Sequence, residues 1–185
     1  MRLFVAAPLP VPQAEQVWRA LGALRDRHPG ARWLPPDKLH LTLVFLGATP
    51  SSQAEVIAER ISTVVAGKAP FAVRTGRPGG VLRDGRGGVA WLGLGHGAGQ
   101  VSDLALELDR AIGSGTYDAR RSPRPHLTVA RGVDQAALDD LQSAPALDIG
   151  WRMERVVLFR SHTDPGGSRY EELVSSPLTA AAGHA

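Results

Sequence analysis

The 185-residue chain contains no cysteine, which excludes disulfides, thiolate nucleophiles and Cys-based metal sites. The absence fits a reducing compartment. Aromatic residues make up only 5%, and none interleaves with a basic run of the kind that lines a long nucleic-acid groove. No apolar stretch approaches the length needed to span a bilayer. The opening MRLFVAAPLPVP carries a short apolar run broken by Pro8, Pro10 and Pro12, so a core strand is expected there in place of a secretory leader. A cytoplasmic protein without a membrane partner is the expectation. The chain also lacks an HExxH pair and a Gly-x-Ser-x-Gly nucleophile turn. Gly93-Leu94-Gly95-His96-Gly97 lacks the Gly-Lys-Ser/Thr ending of a phosphate loop, and its glycines do not fit the dinucleotide fingerprint. His96 is read as a loop residue.

What remains is 43% hydrophobic and 21% charged, the composition of an ordinary globular protein of one domain or two small lobes. The formal charge of +3 comes mostly from arginine, with a pI of about 9.9. It favours an anionic ligand such as an RNA end. The most informative feature is a phrase that occurs twice. His40-Leu41-Thr42-Leu43 lies in the first half and His126-Leu127-Thr128-Val129 in the second. Side chains of a strand alternate between faces. Each copy therefore sets an imidazole and a hydroxyl on one face and apolar anchors on the other. Two such copies arise by chance at a rate on the order of one in a thousand.

Arg2 to Ala7 reads as a buried first strand. A helix from Pro12 to about Arg27 has Ala14, Val17, Trp18, Leu21 and Leu24 on its inner face, and His28 ends it, where a cation complements the dipole. Trp33-Leu34-Pro35-Pro36 is a stiff approach to the first motif strand, residues 39–46. Ser51 or Ser52 caps a second helix to about Val65, with Val56, Ile57, Ile61, Val64 and Val65 inward. Residues 71–75 and 89–94 read as strands around a Gly-Arg-rich segment that is a flexible loop or hairpin. A third helix spans about Gln100 to Ile112, and a Gly-, Arg- and Pro-rich stretch from Gly113 to Pro125 leads into the second motif strand. Asp134 caps a short helix. Residues 155–160 and 170–174 close the fold around a Pro-Gly-Gly turn that includes His162, and residues 180–185, with His184, form a frayed tail. The two halves look like diverged copies. They predict an α+β, bilobal, pseudo-symmetric fold: one domain over 1–185, with two antiparallel sheets around a central cleft and helices outside.

Two histidines on distant strands, without carboxylate or thiolate neighbours, are a poor ligand set for a catalytic metal. No metal and no cofactor are expected. The pair suits transfer at phosphorus: a neutral imidazole accepts a proton from water while a protonated one donates to the leaving alkoxide. Thr42 and Thr128 can donate to phosphate oxygens, and Arg131 adds a fixed cation.

In these motifs, and in the flanking RLFVAAPLP, WLPPDKLHLTLVFLG, PRPHLTVAR and VVLFRSHTDPGGSRYEEL, the chain resembles the 2H phosphoesterase superfamily. The match extends to its bacterial and archaeal RNA 2′,3′-cyclic phosphodiesterases, historically called 2′-5′ RNA ligases. The resemblance implies two pseudo-symmetric lobes, a metal-free site, and opening of an RNA 2′,3′-cyclic phosphate to a 2′-phosphate. It implies His40 and His126 as catalytic residues. The near symmetry of the two motifs leaves acid and base interchangeable, and His40 is taken here as the acid and His126 as the base. Thr42 and Thr128 are the implied phosphate ligands, and Phe45 and Arg131 the implied holders of the terminal nucleobase. The implied partner is an RNA with a cyclic phosphate end, or a small cyclic nucleotide, bound by a monomer. Two features depart from a simple reading. The aromatic often found before the second motif is absent, Arg124 preceding Pro125. Phe45 and Arg131 each lie five residues beyond their histidine, on the opposite face of a regular strand, so facing the cleft requires a bulge or the strand's end. The alternative functions are a non-catalytic RNA-end binding module and 2′-5′ ligation, the reverse of a 2′-5′ cleavage.

Overall fold

In the computed structural model the residues described are 1–83, 87–115, 125–164 and 167–180. Arg124, the interior of the 113–125 stretch, the Pro-Gly centre of the last turn and the tail with His184 lie outside them.

The strands are β1 (Arg2–Pro8), β2 (Arg32–Trp33), β3 (His40–Ala48), β4 (Phe71–Val81), β5 (Gly88–His96), β6 (His126–Val133), β7 (Gly150–Met153), β8 (Arg155–Asp164) and β9 (Gly167–Pro177). The helices are α1 (Val11–Ala20), α2 (Gly22–Arg27), α3 (Ala54–Val65), α4 (Ala98–Ile112) and α5 (Gln135–Ser143). The fold is α+β, but the expectation of two sheets is corrected. All nine strands form one antiparallel sheet in the order β7-β4-β5-β6-β3-β1-β8-β9, with β2 also on β6. The join between lobes is a single pair, Leu41 opposite Leu127. β3 and β6 begin beside each other and run apart in opposite directions, so they overlap only at the two motifs. A seam one pair wide lets the lobes diverge into a cleft while keeping the sheet unbroken.

The lobes also do not follow the halves of the sequence. β4 and β5, from the first half, lie in the lobe of the second motif; β8 and β9, at the end of the chain, complete the lobe of the first. β1 owes its unbroken apolar run to this topology. It sits between β3 and β8, and its residues from Leu3 to Ala7 are all buried. Leu3, Val5 and Ala7 join the large core, which also takes Val17, Ile61, Leu108 and Leu141 from the helices. Phe4 and Ala6 face the other way, into a small cluster with Val157 and Phe159.

The helix expected over 12–27 is broken. Leu21 ends α1 and Gly22 starts α2, glycine being a weak helix former. Arg25 stabilises the break by stacking on the Trp18 ring, 3.5 Å from its centroid, and donating to the Trp18 carbonyl. His28 ends α2 as expected and pairs with Asp140 on α5 at 2.9 Å. Ser51 and Ser52 lie in a 3₁₀ turn, and α3 starts at Ala54 without a side-chain cap; Val56 points outward. Asp134 does cap α5, its Oδ1 accepting from Ala137 N at 2.8 Å. The Gly-Arg-rich loop is largely strand: Pro78 to Val81 pair with Leu92 to Val89. A Cβ on Gly79 would come within 2.7 Å of the Trp91 ring, and one on Gly80 within 2.2 Å of Leu138. These glycines make room for covering side chains and do not serve a turn. His96 ends β5. His162 lies in β8, its Nε2 2.6 Å from a Glu171 carboxylate oxygen, outside the cleft.

Candidate active site

The seam sets the geometry. With Leu41 opposite Leu127 and both fully buried, the flanking residues His40, Thr42, His126 and Thr128 turn to the other face of the sheet. In antiparallel register His40 neighbours Thr128, and Thr42 neighbours His126. The two imidazoles thus take diagonal corners of a four-residue square around a local two-fold axis. All four line one cleft of about 500 Å³.

Phe45 and Arg131 line the same cleft, and the reason is a pair of matching bulges. In β3, Val5 pairs with Val44 while Ala6 pairs with Thr42, leaving Leu43 as the extra residue. In β6, Ala90 pairs with Ala130 and Trp91 with Thr128, leaving Val129 extra. Leu43 with Val44, and Val129 with Ala130, are consecutive buried residues. Each bulge shifts the alternation by one and returns the fifth residue after the histidine to the cleft. Phe45 is 64% exposed, a large apolar ring held at the rim.

The histidines have unlike surroundings. The turn Pro36–Lys38, set by Pro35 and Pro36, ends with the Lys38 carbonyl under His40, whose Nδ1–H donates to it at 2.8 Å. That bond fixes the tautomer and leaves Nε2 as the second ring nitrogen, open to a substrate. Three aromatic rings surround His40, with centroids at 5.1 Å (Phe4), 5.3 Å (Tyr170, edge-on) and 6.3 Å (Phe159). Burial in this apolar wall lowers its pKa to about 4, against the Lys38 hydrogen bond, which raises it; the charges of Arg131 and His126 lower it further. His126 instead packs beside Trp91, at 5.1 Å.

The six residues singled out in the sequence therefore converge. Tyr170, Phe4, Trp91, Arg83 and the hydroxyls of Ser161, Thr163 and Ser168 were not singled out; apart from Trp91 they line the cleft. Ser161 pairs with Tyr170, and Thr163 with Ser168, across β8 and β9. The signal available for them was the alternation in SRYEEL, once the strand is extended back to residue 167. Among the described residues no carboxylate lines the cleft and no three His, Asp or Glu side chains converge to hold a metal ion. No helix of the described residues is long and apolar enough to cross a membrane.

Comparison with known proteins agrees with the geometry. An RNA 2′,3′-cyclic phosphodiesterase of Escherichia coli K12 is 29% identical over 184 residues, covering 96% of this chain and 97% of the relative. One from Geobacillus stearothermophilus is 26% identical over 96% of this chain, which spans only 57% of that longer protein. The crystal structure of E. coli LigT complexed with 3′-AMP superposes with a TM-score of 0.77 at 27% identity, covering 96% of this chain and 98% of that one. The 2′-5′ RNA ligase superfamily model matches residues 11–165, and with the paired motifs joined at the seam of one sheet, the chain belongs to that superfamily.

Proposed function

We propose that the chain hydrolyses RNA 2′,3′-cyclic phosphate ends to 2′-phosphate ends by a two-histidine mechanism without a metal. The observation that carries this reading is the square of His40, Thr42, His126 and Thr128 on one face of the seam, inside one cleft. The phosphate sits over the square and its non-bridging oxygens accept from the threonine hydroxyls. One imidazole takes a proton from water as its oxygen bonds to phosphorus. The P–O3′ bond breaks in line with that attack, and the other imidazole delivers a proton to O3′, leaving a 3′-hydroxyl and a 2′-phosphate. Phe45 and Arg131 hold the nucleobase. Related LigT has also been crystallised with ATP and with NADP+, which supports a nucleotide in the cleft. One chain supplies all six side chains, so a monomer suffices.

The direct test is product analysis with a short RNA ending in a 2′,3′-cyclic phosphate, run in EDTA. Full turnover to the 2′-phosphate is expected, because the cleft offers imidazoles and hydroxyls with no carboxylate to complete a metal site. Loss of turnover in chelator, restored by one divalent ion, would overturn the metal-free mechanism. Binding without product would identify a non-catalytic RNA-end module.

Phe45 gives a separate expectation. Its ring is exposed and adds little to the core, whereas base–aromatic stacking is worth about 1–3 kcal/mol. Phe45→Ala should weaken binding of a cyclic nucleotide by about 5- to 150-fold with an unchanged melting temperature. A large drop in melting temperature with unchanged KM would make Phe45 structural.

A further inference from the structure

A second cavity, of about 340 Å³, adjoins the cleft and shares Arg83, Val89 and Arg131 with it. Arg32 is its third arginine. Arg32 stands directly opposite Arg131 across β2 and β6, a like-charge pairing that destabilises a sheet unless something offsets it. Among the described residues nothing does. Arg32, Arg83 and Arg131 form no ion pair with any described carboxylate. Among the described residues no acidic side chain lines the cavity, and bare backbone forms part of its wall. At Gly87, with φ +65°, a Cβ would meet Gly132 at 2.7 Å, so a side chain there would intrude on this wall. Three unpaired guanidiniums around a glycine-walled hollow make a site for a phosphate-ester anion.

We propose that this cavity holds the phosphodiester group on the 5′ side of the terminal nucleotide, making an oligonucleotide a better substrate than a mononucleotide. The inference rests on the cyclic-phosphate reading of the cleft. Arg131 lines both cavities, so a chain whose last nucleotide fills the cleft continues past Arg131 toward Arg32 and Arg83. A free nucleoside polyphosphate offers the same anion chemistry and is the competing source.

The test compares the wild type with Arg32→Ala, a position that lines the second cavity and not the cleft. For a trinucleotide ending in a 2′,3′-cyclic phosphate, kcat/KM should fall about tenfold or more, and its logarithmic salt dependence should become shallower. For a nucleoside 2′,3′-cyclic phosphate it should stay within about twofold. Arg32→Lys should keep most of the oligonucleotide rate. Anisotropy with a labelled trinucleotide ending in a 2′-phosphate should show the same weakening whether or not the protein turns over. A wild type inactive on both substrates would therefore sink the cleavage reading while this binding measurement still decides the subsite. Equal trinucleotide binding by wild type and variant, or equal losses on both substrates, would overturn the subsite. So would lost affinity for ATP with unchanged trinucleotide kinetics, which would assign the cavity to free nucleotides.

Discussion

Replacing either His40 or His126 with alanine should lower kcat on a nucleoside 2′,3′-cyclic phosphate by about 10²- to 10⁴-fold, the usual contribution of a positioned acid or base. Thr42→Ala and Thr128→Ala should cost less, about 1–3 kcal/mol for a lost hydrogen bond to a charged oxygen. The order of effects is informative. Near-wild-type rates in both histidine variants would remove the square from the chemistry, and threonine losses exceeding histidine losses would reduce it to a binding site. A substrate with sulfur in place of the bridging 3′-oxygen separates the two roles, since a better leaving group needs less help from an acid. Rescue of His40→Ala is expected from the assignment of His40 as acid. Rescue of His126→Ala instead would exchange the roles, and failure of both would leave the division between them without support. All variants should fold, because both imidazoles reach the cleft surface and the buried anchors Leu41 and Leu127 remain.

The sequence made the site more legible than the architecture around it. The alternation of His-Leu-Thr-Leu and His-Leu-Thr-Val depends only on strand geometry, so the shared face of each motif could be read directly. The placement of Phe45 and Arg131 could not, because it depends on Leu43 and Val129 being extra residues in their ladders, a pairing property that one strand alone does not display. A cleft-facing placement requires a bulge or the strand's end, and both strands contain a bulge at the same offset. The sheet was misread for a related reason. Whether the two lobes are separate or continuous turns here on one pair, Leu41 with Leu127, and two apolar residues give no sign of their partner. Pro78, Gly79 and Gly80 read as a loop or hairpin because glycine and proline punctuate chains. They are strand residues because Trp91 and Leu138 occupy the space side chains would need. The aromatic wall of His40 was hidden because Phe4, Phe159 and Tyr170 are distant in sequence and meet only through β1, β8 and β9.

That wall gives the other large expected effect, in the pH dependence of kcat/KM, which reports the free enzyme. Turnover needs one proton on the histidine pair. His40, whose pKa is lowered to about 4 by burial, takes up its proton only near that pH; the acid limb should therefore fall near pH 4. An ordinary histidine of pKa about 6.5 would leave only about one hundredth of the pair active at pH 4.5, whereas here most of it remains active. His40 therefore rests neutral near neutrality. For it to act as the acid, the bound phosphate anion must draw a proton onto it, which the sulfur-bridged substrate tests independently. Stability moves in the same window. Between about pH 6.5 and 4 the unfolded chain binds a proton at residue 40 that the folded chain refuses. Stability is thus complete above pH 6.5 and declines as pH falls, by at most about 3 kcal/mol, and circular dichroism at each pH must accompany the rates. Tyr170→Ala opens the wall to water, which should raise the His40 pKa and carry the acid limb back toward 6.5. A wild-type limb already near 6.5, unmoved by that substitution, would show that the aromatic wall does not set the ionisation of His40.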